Sequence, residues 1–121
     1  MKIYVALILK TKGETERCYL YTKDAVTAIL TILVKGEDGQ AYTVANEDTY
    51  CSIYDMAKLV ADNYGISVEI HEEDVQKQGY ANTLYMKLDT SKIKKLGWKP
   101  EVDLIGMYSR MIASMKCNTL I

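Results

Sequence analysis

The sequence predicts a single α/β domain over residues 1–121, with a small mixed sheet and about four helices. Short segments rich in β-favouring residues alternate with longer segments whose apolar residues recur at helical spacing. The chain has 121 residues, of which 49% are hydrophobic and 26% charged. This is an ordinary soluble composition, and the length allows one core but not separate cofactor and substrate domains.

The first half of the chain predicts two strands and a helix. Residues 3–10 indicate a buried strand and residues 17–22 a second one. The following helix has Thr22 as its predicted N-cap, Asp24 in its first turn and Gly36 at its end. Apolar residues cover most of its circumference, so we expect a central, nearly buried helix: Ala25, Val26, Ala28, Ile29, Ile32 and Leu33.

The middle of the chain predicts a third strand, a capped helix and a fourth strand. Residues 40–45 indicate the third strand. Ser52, with Asp55 three residues later, is typical of a capping box, and Gly65 ends the helix that follows. Residues 66–71 alternate between apolar and polar side chains, as a half-buried strand does.

The last third of the chain predicts a loop and two helices. Residues 72–88 are polar and end in a short extended piece, "TLYMK". Asp89 or Thr90 caps a short helix, which is followed by a packing tryptophan, Trp98. Asp103 starts the last helix, whose apolar residues fall at helical spacing: Leu104, Ile105, Tyr108, Met111, Ile112 and Met115.

Charge and cysteine content exclude several classes of function. The net charge of −1 gives no basic footprint for nucleic acid or for an anionic membrane. Cys18, Cys51 and Cys117 are odd in number and widely spaced, which argues against a disulfide framework and a zinc site. We expect reduced thiols and a cytoplasmic protein. The only histidine, His71, supports neither a metal site nor a serine–histidine–acid arrangement.

Two segments resemble dehydrogenase motifs but lack a feature that each motif requires. The first strand should run into a G-x-G-x-x-G turn if it held a dinucleotide, but "TKGETERC" follows. In "YDMAK", Tyr54 and Lys58 have the spacing of a catalytic tyrosine and lysine, yet they lie opposite the predicted buried face of their helix. That face comprises Ile53, Met56, Ala57, Val60 and Tyr64. We therefore predict no catalytic residue in this chain.

Four blocks in a fixed order carry a family resemblance. They are "G-x3-R-x-Y-x-Y-x-x-D-A" from Gly13, then "AYTVAN", "SIYDMAKLV" and "LDTSKIKKLGWKP". In this order they resemble the C-terminal substrate domain of extended short-chain dehydrogenases, the NAD(P)-dependent sugar-nucleotide epimerases and dehydratases. The resemblance implies a nucleotide-diphosphate sugar as partner. It also implies that NAD or NADP binds in an N-terminal Rossmann domain, and that this chain holds no cofactor itself.

The resemblance implies substrate-binding roles for individual residues. Arg17 matches the arginine that contacts the substrate diphosphate, and a guanidinium can direct two hydrogen bonds to phosphate oxygens. A salt bridge at the strand end, with Glu14 or Glu16, is the alternative. Ser52 falls where some members contact the nucleotide, although its N-cap role already explains it. Two further candidates surround the family's strand motif: Thr43 and Asn46.

One position departs from the family pattern. Many members carry a second arginine ten residues before the aspartate that corresponds to Asp89, where this chain has Gly79. The second phosphate contact is therefore missing at that position, which puts a UDP- or dTDP-sugar in doubt. Nearby polar residues are candidates to compensate for it: Lys77, Tyr80 and Asn82.

Three functional hypotheses follow. The first is a substrate-binding domain of an epimerase or dehydratase, inactive alone because the hydride carrier is elsewhere. The second is a stand-alone binding or interaction module without activity. The third, a self-sufficient small enzyme, lacks a nucleophile–base pair. Under the first hypothesis, the surface that would contact the Rossmann domain is exposed in this chain. We expect this surface, with the strand Ile3–Leu9 beside Tyr19 and Tyr21, to make the chain a homo-oligomer. The choices between epimerase and dehydratase, and between NAD and NADP, stay open.

Overall fold

The computed structural model of this protein describes residues 6–74, 79 and 82–119. Strands and helices alternate along these residues, which confirms the predicted α/β class with about four helices. The start of the predicted first strand, residues 3–5, lies outside the described residues. In chain order the elements are β1 (Ala6–Leu9), β2 (Glu16–Tyr19), α1 (Thr22–Lys35), β3 (Asn46–Ser52), α2 (Ile53–Tyr64), β4 (Ser67–Ile70), β5 (Tyr85–Met86), α3 (Ser91–Lys94) and α4 (Leu104–Thr119).

The described strands form two small sheets. β1 pairs with β4 in parallel, in a register that places Ala6 opposite Ser67. The second sheet has the order β3-β2-β5, and β2 pairs with β5 in parallel, with Arg17 opposite Met86. Parallel neighbours need long connections, and in both pairs the connection contains helices.

The chain packs as two compact units. The first unit consists of Met1–Arg17 and Cys51–Met86, and the second of Cys18–Tyr50 and Lys87–Ile121. The division falls within β2 and β3. The first unit therefore contains β1, α2, β4 and β5, and the second contains α1, α3 and α4.

In the first unit, α2 begins at a capped N-terminus and packs through small residues. The Asp55 amide donates to Ser52 Oγ over 3.0 Å, so the predicted cap is confirmed. Ala57 and Ala61, which lie one turn apart, are buried. Tyr64, predicted on the buried face, is 39% exposed, so that prediction is wrong. It is the last helical residue, where the helix leaves the packed surface.

The core of the second unit forms around Trp98. Its side chain is buried together with Ala28 of α1 and Ile93 of α3. The indole Nε1–H donates to Thr27 Oγ1 over 3.0 Å, so the polar edge of the ring also has a partner. The predicted packing tryptophan is thus confirmed. Partly buried side chains surround this cluster: Leu20, Ile32, Tyr42, Val44 and Leu96.

Two buried polar side chains hold the backbone of Val102. Asp24 is 1% exposed, and its Oδ2 accepts from the Val102 amide over 3.0 Å. Asn46 is also buried, and its Nδ2 donates to the Val102 carbonyl over 3.1 Å. These bonds join the starts of α1 and β3 to the segment that precedes α4. The predicted position of Asp24 in the first turn of α1 is confirmed, and its carboxylate also satisfies a buried amide of another segment.

Helix α1 is buried on one face only, which contradicts the prediction of a nearly buried helix. Asp24 and Ala28 are buried, whereas Ile29 is 58% exposed and Leu33 75% exposed. No described element covers the face that carries these two side chains. Neither α1 nor any other helix of the described residues is long and apolar enough to cross a membrane.

Two predicted element boundaries are wrong. Thr22 is not the N-cap of α1 but its first residue, and the preceding Tyr21 makes no capping bond through its side chain. The third strand lies not at 40–45 but at β3, which begins at Asn46. The residues of β3 are largely polar, and their position follows from hydrogen bonds such as Tyr19 N–H to Thr49 Oγ1 at 2.7 Å. Local β propensity therefore misses this strand.

We expect Asp24→Ala to lower the free energy of unfolding by about 1–3 kcal/mol, because the buried Val102 amide loses its acceptor. Asp24→Asn should cost less, since its amide oxygen can still accept. Asp55→Ala is the matched control, because Asp55 is an exposed acid in the first turn of α2 and should cost less than about 1 kcal/mol. Chemical denaturation measures all three. Equal losses for Asp24→Ala and Asp55→Ala would contradict the role of the buried bond.

Candidate functional site

A cavity of about 480 Å³ lies in the first unit, beside the carboxyl end of β1. Its described lining combines two cationic side chains, three neutral polar ones and three apolar ones. No carboxylate is among them, so the cavity suits a ligand that carries negative charge. The lining residues are Ile8, Leu9, Lys10, Thr11, Thr15, Arg17, Ile53 and Asn82.

The loop between β1 and β2 is fixed against the start of α2. The Tyr54 amide donates to the Gly13 carbonyl over 3.0 Å, and the Ile53 amide donates to the Thr15 carbonyl over 3.0 Å. Gly13 has a left-handed φ of 66°, and a Cβ added there would lie 2.7 Å from Tyr54 N. Both the φ and the close approach therefore require glycine at this position. The loop is in this way set against one wall of the cavity.

Arg17 is held in place by the strand that carries it. The Glu16 amide donates to the Leu84 carbonyl over 2.8 Å, and the Leu84 amide donates to Thr15 Oγ1 over 3.3 Å. Arg17 itself lies opposite Met86 in the pairing of β2 with β5. The backbone that carries Arg17 is thus fixed on either side.

The two cations of the cavity are available to a ligand. Arg17 is exposed, and within residues 6–74, 79 and 82–119 no ion pair engages its guanidinium. Among the ion pairs of these residues, none joins Arg17 to Glu14 or Glu16, the alternative predicted from the sequence. Lys10 Nζ lies 4.0 Å from Glu73 Oε2, and both side chains are about half exposed. Such a pair contributes little to stability, so a phosphate can compete for Lys10.

Lys10 is absent from the residues predicted from the sequence. Its signal is its position directly after the last residue of β1, because polar residues at the carboxyl ends of parallel strands often bind ligands. Asn82, a candidate to replace the missing second arginine, lies in the cavity wall. Gly79 is an exposed turn residue. The other two candidates, Lys77 and Tyr80, lie outside the described residues.

Ser52 stands beside the cavity and not in its lining. Its Oγ accepts the Asp55 amide, and the next residue, Ile53, contributes to the cavity wall. Because a serine hydroxyl can donate and accept at once, its O–H is still available to a ligand. The substrate contact of Ser52 stays a prediction.

Asn46 and Thr43 belong to the second unit. Asn46 uses both ends of its amide within the fold, since its Oδ1 also accepts from the Asp48 amide over 3.1 Å. Its Nδ2 group has a second N–H, and Asn46 also lines a cleft of the second unit. Thr43 is exposed in the segment before β3. The ligand roles of both residues stay predictions.

Tyr54 and Lys58, the residues of the apparent dehydrogenase motif, have different surroundings. Lys58 is exposed and forms an ion pair with Asp62 at 3.5 Å, on the side predicted to face solvent. Tyr54 is half-buried, and its backbone amide binds the loop at Gly13. The contact described for Tyr54 is thus a backbone hydrogen bond to the loop between β1 and β2.

A second cleft, of about 450 Å³, lies in the second unit and differs in charge. Its lining includes two carboxylates, Glu47 and Asp48, and two lysines, Lys94 and Lys99. The Thr90 hydroxyl, 2.6 Å from Glu47 Oε1, and the Thr90 amide hold the pKa of Glu47 below its ordinary value; Lys94 contributes less. Because its two carboxylates offset its two lysines, this cleft suits a diphosphate less well than the cavity of the first unit, whose described lining has no carboxylate.

Elsewhere in the second unit, the Ser91 amide lowers the pKa of Asp89, whose Oδ1 accepts from it over 2.9 Å. Asp89 thus supplies the side-chain bond at the start of α3, while Thr90 occupies the N-cap position. Both residues predicted to cap this helix take part in its start. Among the described residues, no group of three or more His, Cys, Asp or Glu side chains could hold a metal ion.

Comparisons with known proteins identify relatives of one kind. The chain is 32% identical over 87 residues to a trifunctional UDP-glucose 4,6-dehydratase/UDP-4-keto-6-deoxy-D-glucose 3,5-epimerase/UDP-4-keto-L-rhamnose-reductase of Arabidopsis thaliana, a match covering 72% of this chain and 13% of that protein. It is 32% identical over 94 residues to dTDP-D-glucose 4,6-dehydratase of Mus musculus, covering 74% of this chain and 26% of the relative. No protein-family model matches.

A solved structure shares the fold. RMD from Pseudomonas aeruginosa, complexed with NADPH, superposes with a TM-score of 0.70 over 84% of this chain and 33% of that one, at 23% sequence identity. The chain thus spans about a quarter or less of the two curated relatives and a third of the solved structure.

We expect Gly65→Ala to lower the free energy of unfolding by about 1 kcal/mol, because its φ of 68° disfavours a side chain but space is open around it. Gly13→Ala should cost about 1–3 kcal/mol more, since the backbone of Tyr54 must also move. The two glycines share the first unit and nearly the same φ, so denaturant unfolding isolates the effect of the contact. Equal losses would show that the loop is not fixed by this contact.

Proposed function

This chain is homologous to part of the dehydratases of the NAD-dependent epimerase/dehydratase family, and from this premise we propose that it is the substrate-binding part of such an enzyme. The homology confirms the family resemblance predicted from the sequence. The proposed ligand is a nucleotide-diphosphate sugar, bound in the cavity of the first unit. The chemical class of that ligand agrees with the substrates named for the relatives.

The observation that carries this proposal is the unpaired guanidinium of Arg17 in a cavity without described carboxylates. A diphosphate carries two negative charges and several acceptor oxygens. Arg17 can bind it through two parallel hydrogen bonds, and Lys10 supplies a second positive charge from the adjacent strand end. In this proposal Lys10 replaces the second arginine, which the chain lacks at position 79.

The rest of the lining suits the remainder of a nucleotide sugar. Thr11, Thr15 and Asn82 offer hydroxyl and amide groups for sugar or ribose hydroxyls. Ile8 and Ile53 offer apolar surface for a base or for one face of a pyranose ring. The cavity thus combines a cationic part, a polar part and an apolar part, which complement the anionic diphosphate, the hydroxyl groups and the base of the ligand.

The proposal assigns binding to this chain and hydride transfer to another part of the enzyme. The sequence has no Gly-rich phosphate turn after its first strand, and a cofactor enzyme needs one to hold the pyrophosphate of NAD or NADP. Arg17 and Lys10 orient the substrate through its diphosphate, at a distance from the reacting sugar carbons. Binding energy from such remote groups positions the sugar for a reaction catalysed elsewhere.

We expect the chain to bind UDP or dTDP, and Arg17→Ala to weaken that binding by about tenfold to a hundredfold, the value of a charged hydrogen bond. Arg17→Lys should fall in between, because lysine keeps the charge but loses the two parallel bonds. Isothermal titration calorimetry at constant salt measures each affinity. Lys10→Ala should weaken binding of the diphosphates more than binding of UMP.

The other arginine of the chain provides the control. Arg110 lies on α4 in the second unit, 5.6 Å from the centre of the Tyr21 ring, and Arg110→Ala removes the same charge from another place. We expect Arg110→Ala to leave diphosphate binding unchanged. If Arg110→Ala weakens binding as much as Arg17→Ala, the effect is one of net charge and the proposed site is wrong.

We also expect the chain to show no saturable binding of NADH in the micromolar range, because the cofactor turn is missing from its sequence. Titration of NADH, followed by its fluorescence, tests this. The same titration with Arg17→Ala distinguishes cofactor binding from weak capture of the NADH diphosphate by Arg17. Saturable binding that survives Arg17→Ala would contradict the division of labour proposed above.

A further inference from the structure

A carboxylate stands at the edge of the cavity in the first unit. Lys10 lines that cavity, and its Nζ lies 4.0 Å from Glu73 Oε2. Glu73 itself is exposed and is not part of the described lining. The wall thus contains two cations, Arg17 and Lys10, and the second of them also contacts an acid just outside the wall.

The backbone places Glu73 beside Lys10. β1 and β4 are paired in parallel up to Leu9 and Ile70. Beyond these residues the His71 amide donates to the Leu9 carbonyl over 2.8 Å. The Glu73 amide then donates to the Lys10 carbonyl over 2.9 Å, so the hydrogen bonding continues past both strand ends. The two residues are therefore neighbours through their backbones, and Glu73 stays close to the cavity when a ligand draws the Lys10 ammonium away.

Ligands of the proposed class differ in their charge. In a nucleotide-diphosphate sugar both phosphates are esterified at their outer ends, so the diphosphate carries two negative charges. A free nucleoside diphosphate ends in a phosphomonoester group, which alone carries about 1.5 to 2 negative charges at pH 7. The free nucleoside diphosphate therefore carries close to three charges.

A carboxylate fixed beside the site acts unequally on these two ligands. Electrostatic repulsion grows in proportion to the charge of the ligand, so Glu73 opposes the free nucleoside diphosphate more than the sugar conjugate. Arg17 and Lys10 match the two charges of the conjugate. The additional charge of the free diphosphate finds no third cation in the described lining, and it lies near Glu73 instead.

We propose that Glu73 is a specificity-determining residue of this site. Its carboxylate competes with the ligand for Lys10 and shifts the preference of the site from free nucleoside diphosphates toward nucleotide-diphosphate sugars. This inference rests on the proposed function, because it takes the cavity as the diphosphate site. Such a preference keeps the site available to the sugar conjugate when free nucleoside diphosphate is also present.

Isothermal titration calorimetry with UDP and with UDP-glucose, at constant salt, tests this role. Glu73→Gln should tighten UDP binding by about threefold to fivefold, the range that exposed charge pairs reach, and UDP-glucose binding by about twofold to threefold. Glu73→Lys reverses the charge and should tighten UDP binding by about tenfold or more. In Glu73→Lys the preference for UDP over UDP-glucose should rise by about twofold to threefold, because the effect follows the ligand charge.

Glu69 provides the matched control. It is an exposed acid of β4, on the same segment as Glu73, and it pairs with His71 at 3.2 Å. Glu69→Lys changes the net charge of the chain by the same amount as Glu73→Lys. We expect it to change either affinity by less than about twofold. Equal effects of the two variants would mean that net charge alone acts on the ligand, and the proposed role of Glu73 would be overturned.

Salt provides a second measurement. The gain from Glu73→Lys should shrink as the salt concentration rises from about 0.1 M to about 1 M, because the Debye length falls from about 10 Å to about 3 Å. A gain that does not depend on salt contradicts the electrostatic role. If the unmodified chain binds neither ligand, the proposed function is wrong and this inference is wrong with it. If both ligands bind and Glu73→Lys leaves the ratio of their affinities unchanged, only the role of Glu73 is overturned.

Discussion

The second unit depends on the two bonds that hold Val102. Asp24 and Asn46 come from distant parts of the chain, and each satisfies one backbone group of the same residue in a buried place. Buried polar groups that lose their partners cost more free energy than most single contacts contribute, so these bonds select one packing of α1. The direction of α1 then follows, and with it the outward position of its remaining apolar side chains, such as Leu33.

The same principle separates structural polar residues from those available to a ligand. Asn46 donates to Val102 and accepts from Asp48 within the fold, and the Asp24 carboxylate accepts from Val102. Arg17, by contrast, has a backbone fixed by strand pairing and a guanidinium that no described residue engages. The backbone of Arg17 is thus fixed before a ligand arrives, so binding has to order only the side chain, and its unpaired guanidinium breaks no existing ion pair.

Local signals in the sequence predict those parts of the fold that local interactions determine. The cap formed by Ser52 with Asp55 and the burial of Trp98 are confirmed, as is the α/β order. Four short blocks were sufficient to predict the family, which the homology confirms. Arg17 follows from the first of these blocks, and the structure places it in the wall of a cavity.

The errors have a common physical cause, which is that they concern contacts between distant segments. Hydrophobic periodicity shows how much of α1 is apolar, but it does not show which part of the helix the rest of the chain covers. The exposure of Ile29 could therefore not be predicted from it. Strand β3 is polar and held by side chains such as Thr49, so β propensity places the strand too early. Lys10 becomes a candidate binding residue only in the folded structure, where it lines the same cavity as Arg17.

Charge decides between the two clefts as binding sites for a diphosphate. They are similar in volume, so size does not discriminate between them. In the second cleft, Thr90 stabilises the ionised form of Glu47, and that carboxylate would repel a phosphate at neutral pH. In the first cleft, Arg17 and Lys10 are the only charged groups of the described lining. An anionic ligand is therefore favoured in the first cleft, where no carboxylate of the described lining opposes it.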